Sequence, residues 1–120
     1  TQAVFEGVAF ALKENLNALK KTGAKIEKLY ALGGGVQSNF WLKTIANILN
    51  LNLLLPKKGE LGAALGAARL ALYAGESTSL EEIMTQPSVD KVIEPNLSLV
   101  TAYDDAFQDF KKIYPSIKEL

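Results

Sequence analysis

Apolar residues recur at three- and four-residue spacings from the start of the chain. Val4, Val8, Ala11, Leu12, Leu16 and Leu19 fall on one stripe, the pattern of an amphipathic helix. Phe5 and Phe10 widen that stripe, so a helix from Thr1 to about Lys21 is expected to be covered on more than one side. Lys20 and Lys21 suit its last turn and Gly23 its stop. The period then changes. Ile26–Leu32 is a short apolar run that reads as a strand, and its end, Tyr30-Ala31-Leu32, predicts burial on both faces. Asn39–Leu49 returns to helical spacing, with Trp41, Ile45, Ile48 and Leu49 on the inner stripe and Ser38 as N-cap. Leu51–Leu55 reads as a second strand stopped by Pro56. Lys57–Glu60 reads as a polar turn, and Leu61 to about Ala74 as a third helix with Gly75 near its C-terminus.

The order is α-β-α-β-α, and helical crossovers between strands point to parallel pairing in an α/β fold. The pattern weakens after Gly75. Ser77–Ser79 reads as a loop or helix cap and Leu80–Met84 as a helical turn. Val89–Thr101, with Pro95 and Asn96, reads as irregular or extended. Tyr103–Leu120 is expected to be a closing helix with Tyr103, Phe107, Phe110, Ile113 and Tyr114 on one side, broken or bent at Pro115. No internal repeat or low-complexity tract is present.

The candidate chemistry centres on Lys28–Ser38. An apolar run ends in Gly33, Gly34 and Gly35, and a helix start follows at Ser38 or Asn39. Glycine lets backbone approach a ligand closely, and a helix start favours negative charge, above all phosphate. A purely structural reading is also open, that of a tight β-to-α connection needing unusual backbone angles. The dinucleotide fingerprint G-x-G-x-x-G is absent, because Ser38 stands where its third glycine would be, and so is the phosphate loop ending in Gly-Lys-Ser/Thr. Gly62 and Gly66, inside the third helix, either allow close packing against a sheet or neighbouring helix or bring backbone beside a base. Glu60 is a catalytic carboxylate, a solvated loop charge or a helix-start acid. Asp104 and Asp105 bind a metal or simply open a helix, where acids complement the dipole. Lys57 and Lys58 contact phosphate or line a solvated turn. Trp41 and the tyrosines are assigned to the core.

Composition narrows the chemistry. With 120 residues, 48 % of them hydrophobic and 22 % charged, the chain is long enough for one domain with a core. Thirteen basic residues balance thirteen acidic ones, which argues against a dedicated nucleic-acid or membrane-surface binder. There is no cysteine and no histidine, so thiolate chemistry and the commonest general base and metal ligand are excluded. No apolar run approaches the roughly 20 residues of a bilayer span, and Glu6 and Glu14 interrupt any signal-peptide layout. The chain does not begin with methionine, and helical periodicity starts at once without a capping signal, as expected of a piece of a longer protein.

Three blocks taken together, Glu6-Gly-Val-Ala-Phe10, Leu32-Gly-Gly-Gly-Val-Gln-Ser-Asn39 with Trp41, and Leu61-Gly-Ala-Ala-Leu-Gly-Ala-Ala-Arg69, resemble the C-terminal part of the FGGY carbohydrate kinases. The resemblance covers residues 1–75 strongly and continues more weakly through a variable tail, 76–120, with its closing helix. It implies an actin-like (ribonuclease H-like) ATPase fold of two domains, with sugar and MgATP meeting between them, and places this chain in the later part of the second, ATP-binding domain. By that resemblance Gly34 and Gly35 lie against the α-phosphate and ribose, and Ser38 and Asn39 near the ribose or adenine. The catalytic base and the sugar pocket of the family lie upstream, so no catalytic residue and no metal ligand is expected within these 120 residues. The implied function is ATP-dependent phosphorylation of a sugar, D-xylulose at its C5 hydroxyl, with gluconate, ribulose, fuculose or glycerol as other family substrates. A cytoplasmic homodimer is implied for the full-length protein. A non-catalytic actin-like assembly module is the rival reading.

Overall fold

The computed structural model describes residues 2–57, 62–75 and 79–118, without the side chains of Tyr114 and Ile117. The elements run α1 (Gln2–Lys21), β1 (Lys28–Tyr30), a 3-10 turn (Gly34–Gln37), α2 (Asn39–Leu49), β2 (Asn52–Pro56), α3 (Ala63–Gly75), α4 (Leu80–Ile83), β3 (Val89–Ile93) and α5 (Leu97–Ile117). The first five regular elements keep the expected α-β-α-β-α order. The closing helix is present but longer, and a short helix and a third strand precede it.

Helix α2 is the centre of the fold. Six of its eleven residues are buried, too many for a helix with a single covered face. Leu42 and Ala46 pack with Leu53 of β2 and Ile93 of β3, flanked by Leu29, Ala31, Val36 and Leu55. Round the helix, Ile48 packs with Ala9 and Phe10 of α1 and Phe107 of α5. The result is three layers: sheet, α2, then α1 with α5. Polar groups at the centre are satisfied locally. Thr44 Oγ1 donates to the Phe40 carbonyl at 2.9 Å. Buried Asn47 accepts the Asn96 N–H on its Oδ1 at 2.7 Å, which ties the loop before α5 to α2.

The sheet has the order β1-β2-β3. β1 pairs parallel to β2 with Leu29 opposite Leu53, as α2 crosses between them. β3 pairs antiparallel to β2, Leu54 opposite Val92, with a register irregularity between Leu55 and Pro56. Pro56 does not stop the strand: it pairs with Val89 across the irregularity, and beyond it the Lys57 N–H donates to the Ser88 carbonyl at 3.0 Å.

Several expectations are overturned. The buried side of α1 overlaps the aliphatic stripe only at Leu16. Val4 is 70 % and Leu19 53 % exposed, whereas Ala9, Phe10 and Leu16 are buried. Aromatic bulk turns the helix about a third of a turn from the aliphatic line. Phe10 meets Phe107 and Phe110 of α5 at 5.9 and 5.4 Å between ring centres, and large rings carry more buried area than valines. Strand β1 is shorter than Ile26–Leu32 and is not covered on both faces, since Leu32 is exposed. Residues 89–93, within the stretch read as irregular or extended, form strand β3. The closing helix starts at Leu97, because Asn96 caps it: its Oδ1 accepts the Ser98 N–H at 3.1 Å and the Ser98 hydroxyl at 2.8 Å. Helix α5 continues through Pro115 to Ile117 instead of breaking. Helix α3 has no buried residue, and a Cβ at Gly66 would meet nothing within 4 Å, so the expected close packing of its glycines is not made among the described residues. Its Arg69 reaches Thr85, donating to the carbonyl and the hydroxyl at 3.2 Å each. Ser79 is the cap of α4, in a reciprocal box with Glu82; Ser77 lies outside the described residues.

Candidate functional site

The three glycines stand where β1 hands over to α2. The Ala31 N–H still donates to the Leu54 carbonyl at 2.9 Å, so the chain leaves the sheet at Leu32. Gly33 has φ 90 and ψ −174, a conformation that side chains other than hydrogen oppose. It reverses the chain into the 3-10 turn, whose Val36 N–H donates back to the Gly33 carbonyl at 3.3 Å. Ser38 closes the turn by donating its N–H to the Gly35 carbonyl at 3.1 Å. Its side chain then caps α2, Oγ accepting the Trp41 N–H at 3.2 Å, as its expected role requires.

The outer side of this turn is open. Ideal Cβ atoms at Gly33 and Gly34 would meet nothing within 4 Å, and Gln37, Ser38 and Asn39 are exposed. The inner side is not open. A Cβ at Gly35 would stand 3.1 Å from Trp41 Cδ1 and 3.2 Å from Nε1. The indole in turn rests on Phe5 of α1, ring centres 5.2 Å apart, and Phe5 meets Phe40 edge-on at 5.7 Å. Trp41 is half-buried in this position and packs against the core cluster of Ala9, Phe10, Ile48 and Phe107, as its assignment to the core requires. Sequence reasoning assigned it to the core; its place three residues after the cap and six after Gly35 is the signal that could have placed it under the turn. Below lies a groove of about 380 Å³ between α1, β1 and α2, bordered by Leu12, Leu16, Ile26, Tyr30, Val36 and Trp41 and lined without any charged side chain.

The four sequence-derived nucleotide contacts, Gly34, Gly35, Ser38 and Asn39, are thus brought into one continuous turn and helix start. The other candidates do not converge on it. Asp104 and Asp105 do not open a helix: they lie about two turns into α5, and Asp104 pairs with Lys13 of α1. Lys13 also sits over the Phe107 ring, 5.0 Å from its centre, with its side chain only 12 % exposed, so this cluster fastens α5 to α1. Among the described residues no group of three His, Cys, Asp or Glu side chains could hold a metal ion, and no helix is long and apolar enough to cross a membrane. Lys57 is exposed beyond β2; Lys58 and Glu60 lie outside the described residues. The fold alters the titration of Tyr103. Burial, the charge of Glu6 and a hydrogen bond to Glu6 all raise its pKa above the ordinary 10.0.

Comparison with known proteins extends this picture over the whole chain. Residues 1–75 match the description "FGGY family of carbohydrate kinases, C-terminal domain". Xylulose kinase of Escherichia coli (strain K12) is 32 % identical over 120 residues, covering 99 % of this chain and 25 % of the relative. The crystal structure of a xyloylose kinase from Brucella ovis superposes with a TM-score of 0.91 at 47 % identity, over 99 % of this chain and 25 % of that one. Gluconate kinase from Lactobacillus acidophilus superposes with a TM-score of 0.75 at 32 % identity, over 96 % of this chain and 23 % of that one. The chain spans about a quarter of the length of the relatives it matches. Its mixed α/β architecture is shared with these sugar kinases, whose fold is the actin-like ATPase fold. Glycine turn, capped helix and small-residue block occur together within the stretch that matches, and the chain belongs to the FGGY family of carbohydrate kinases, as part of its C-terminal domain.

Proposed function

We propose that this chain is the nucleotide-holding portion of an ATP-dependent sugar kinase that phosphorylates D-xylulose at C5. The observation that carries the reading is the similarity to xylulose kinases over 99 % of the chain, a stretch that includes a turn whose outer side is open to a ligand. The backbone of Gly34 and Gly35 lies beside the α-phosphate and ribose, and Ser38 and Asn39 beside the ribose or adenine. The residues present suit that ligand: Gly33 and Gly34 leave room for close backbone approach. The Ser38 oxygen is engaged as a cap acceptor, and its hydroxyl hydrogen is still free to donate. When bound, MgATP supplies the transferable phosphoryl group. Phosphoryl transfer depends on positioning and charge stabilisation, and this chain's part is to bind and orient the nucleoside end. The base and the sugar pocket belong to the rest of the protein.

The test is calorimetric titration of ADP into the full-length protein and its Gly34→Val variant, with phosphorylation assays on D-xylulose, gluconate, ribulose, fuculose and glycerol. Gly34 is the cleaner probe, because a side chain there meets no protein atom while one at Gly35 meets Trp41. ADP binding is expected in the parent and lost in the variant, and D-xylulose is expected as the preferred substrate. Equal ADP affinity in parent and variant refutes the site. Phosphorylation of any sugar by the isolated 120 residues refutes the division of labour. Preference for gluconate would establish the second reading, which the likeness to the Lactobacillus acidophilus gluconate kinase supports.

A further inference from the structure

The three glycines differ in what surrounds them. Gly33 is in a left-handed conformation, φ 90. Gly34 is neither left-handed nor crowded. Gly35 has a backbone that any residue could adopt, yet a Cβ there would stand 3.1 and 3.2 Å from Trp41 Cδ1 and Nε1 and within 4 Å of nothing else. A side chain at Gly35 would therefore press on the indole, which would have to give by a few tenths of an ångström. Trp41 is held in two ways: its main-chain N–H donates to Ser38 Oγ, and its ring is backed by Phe5 of α1, tilted at 46°.

We infer that Trp41 is a positioning residue for the nucleotide site, and that Gly35 is glycine to admit the indole instead of the ligand. The Cδ1–Nε1 side of the ring sets how closely the turn approaches α2, and so where the Gly34 and Gly35 peptides stand relative to a nucleotide. Phe5 links that placement to α1. The inference rests on the nucleotide reading above and adds a residue that touches no nucleotide atom in it.

A double-mutant cycle in the full-length protein tests it, with Gly35→Ala, Trp41→Leu and the two combined, read as ADP affinity by calorimetry and as melting temperature. Residues in contact couple by amounts that correspond to roughly tenfold in an equilibrium constant. Gly35→Ala is expected to weaken ADP binding about tenfold when Trp41 is present and less than about twofold in the Trp41→Leu background. Trp41→Phe, which keeps a ring on Phe5, should retain more ADP affinity than Trp41→Leu. An equal loss from Gly35→Ala in both backgrounds means that the glycine serves the ligand and overturns the inference. A fall in melting temperature with ADP affinity unchanged makes the contact merely structural and also overturns it. If Gly35→Ala does not fold, recovery of a folded, ADP-binding protein in the combined variant upholds the inference, and continued failure overturns it. Absence of ADP binding by the unmutated protein removes the nucleotide reading and the role of Trp41 together, whereas ADP binding with additive effects removes the role of Trp41 alone.

Discussion

Tyr103 shows how much one contact can change at the scale of a residue. Its hydroxyl donates to Glu6 Oε1 at 3.4 Å across the α1–α5 seam, while Gln2 donates to the same oxygen at 2.8 Å. Burial first, then the negative charge and hydrogen bond of Glu6, disfavour the tyrosinate and raise the pKa above 10.0. A proton held more tightly by the folded state stabilises the fold fully below the unfolded pKa, and the contribution is lost as pH rises through the folded one. Stability to urea is therefore expected to fall from about pH 10 upward, and Tyr103→Phe should flatten that fall while leaving the profile near neutrality little changed. A variant whose alkaline profile matches the parent would refute the coupling. The glycines of the site were legible as glycines, but their separate surroundings were not. Trp41 read as a core residue because spacing along a helix reports which side it faces and not what lies above it. Asn47 gave no signal at all, since its partner Asn96 is 49 residues away.

At the scale of elements, periodicity located α1, α2 and α3 to within a residue or two of their observed ends. Boundaries failed where two local signals competed. Pro95-Asn96 reads as a turn, and it is also a helix start once the Asn96 side chain captures Ser98. Strand β3 carries Asp90 and Lys91 and has a single buried residue, Ile93, so no alternation of apolar and polar residues marked it; pairing with β2 makes it a strand. Helix α5 absorbs Pro115 because the residue falls in its last turn, where little helix remains to be interrupted. Ser116 meanwhile donates its hydroxyl to the Lys112 carbonyl at 2.7 Å. An interior proline costs about 3 kcal/mol relative to alanine, and the last turn bears a fraction of that. Pro115→Ala is expected to raise the melting temperature followed by helical circular dichroism. An unchanged or lower value would mean that the proline ring packs favourably where it stands.

At the scale of the molecule the chain is more open than its length requires. Its radius of gyration is 17.7 Å, against about 14 Å for a compact domain of 120 residues. Val4, Val8 and Leu19 of α1 and Leu70, Leu72 and Tyr73 of α3 are exposed, and among the described residues β1 pairs on one side only. Exposed apolar faces and a free strand edge favour association. The isolated 120 residues are expected to sediment as concentration-dependent oligomers, and Val4→Lys combined with Leu72→Lys should shift them toward monomer. A parent chain that stays monomeric as its concentration is raised would refute this. The sequence by itself determined the leading α-β-α-β-α order, the glycine turn with its Ser38 cap and the family, because helical period, breaker residues and capping chemistry all act over a few neighbouring positions. Only the tertiary structure decided which side of α1 is buried, that 89–93 is a strand, that α3 packs no glycine face, and that Gly35 lies against Trp41. Each of those depends on a partner that local spacing does not name: the rings of α5 for α1, the β2 edge for β3, and the Phe5-backed indole for the turn.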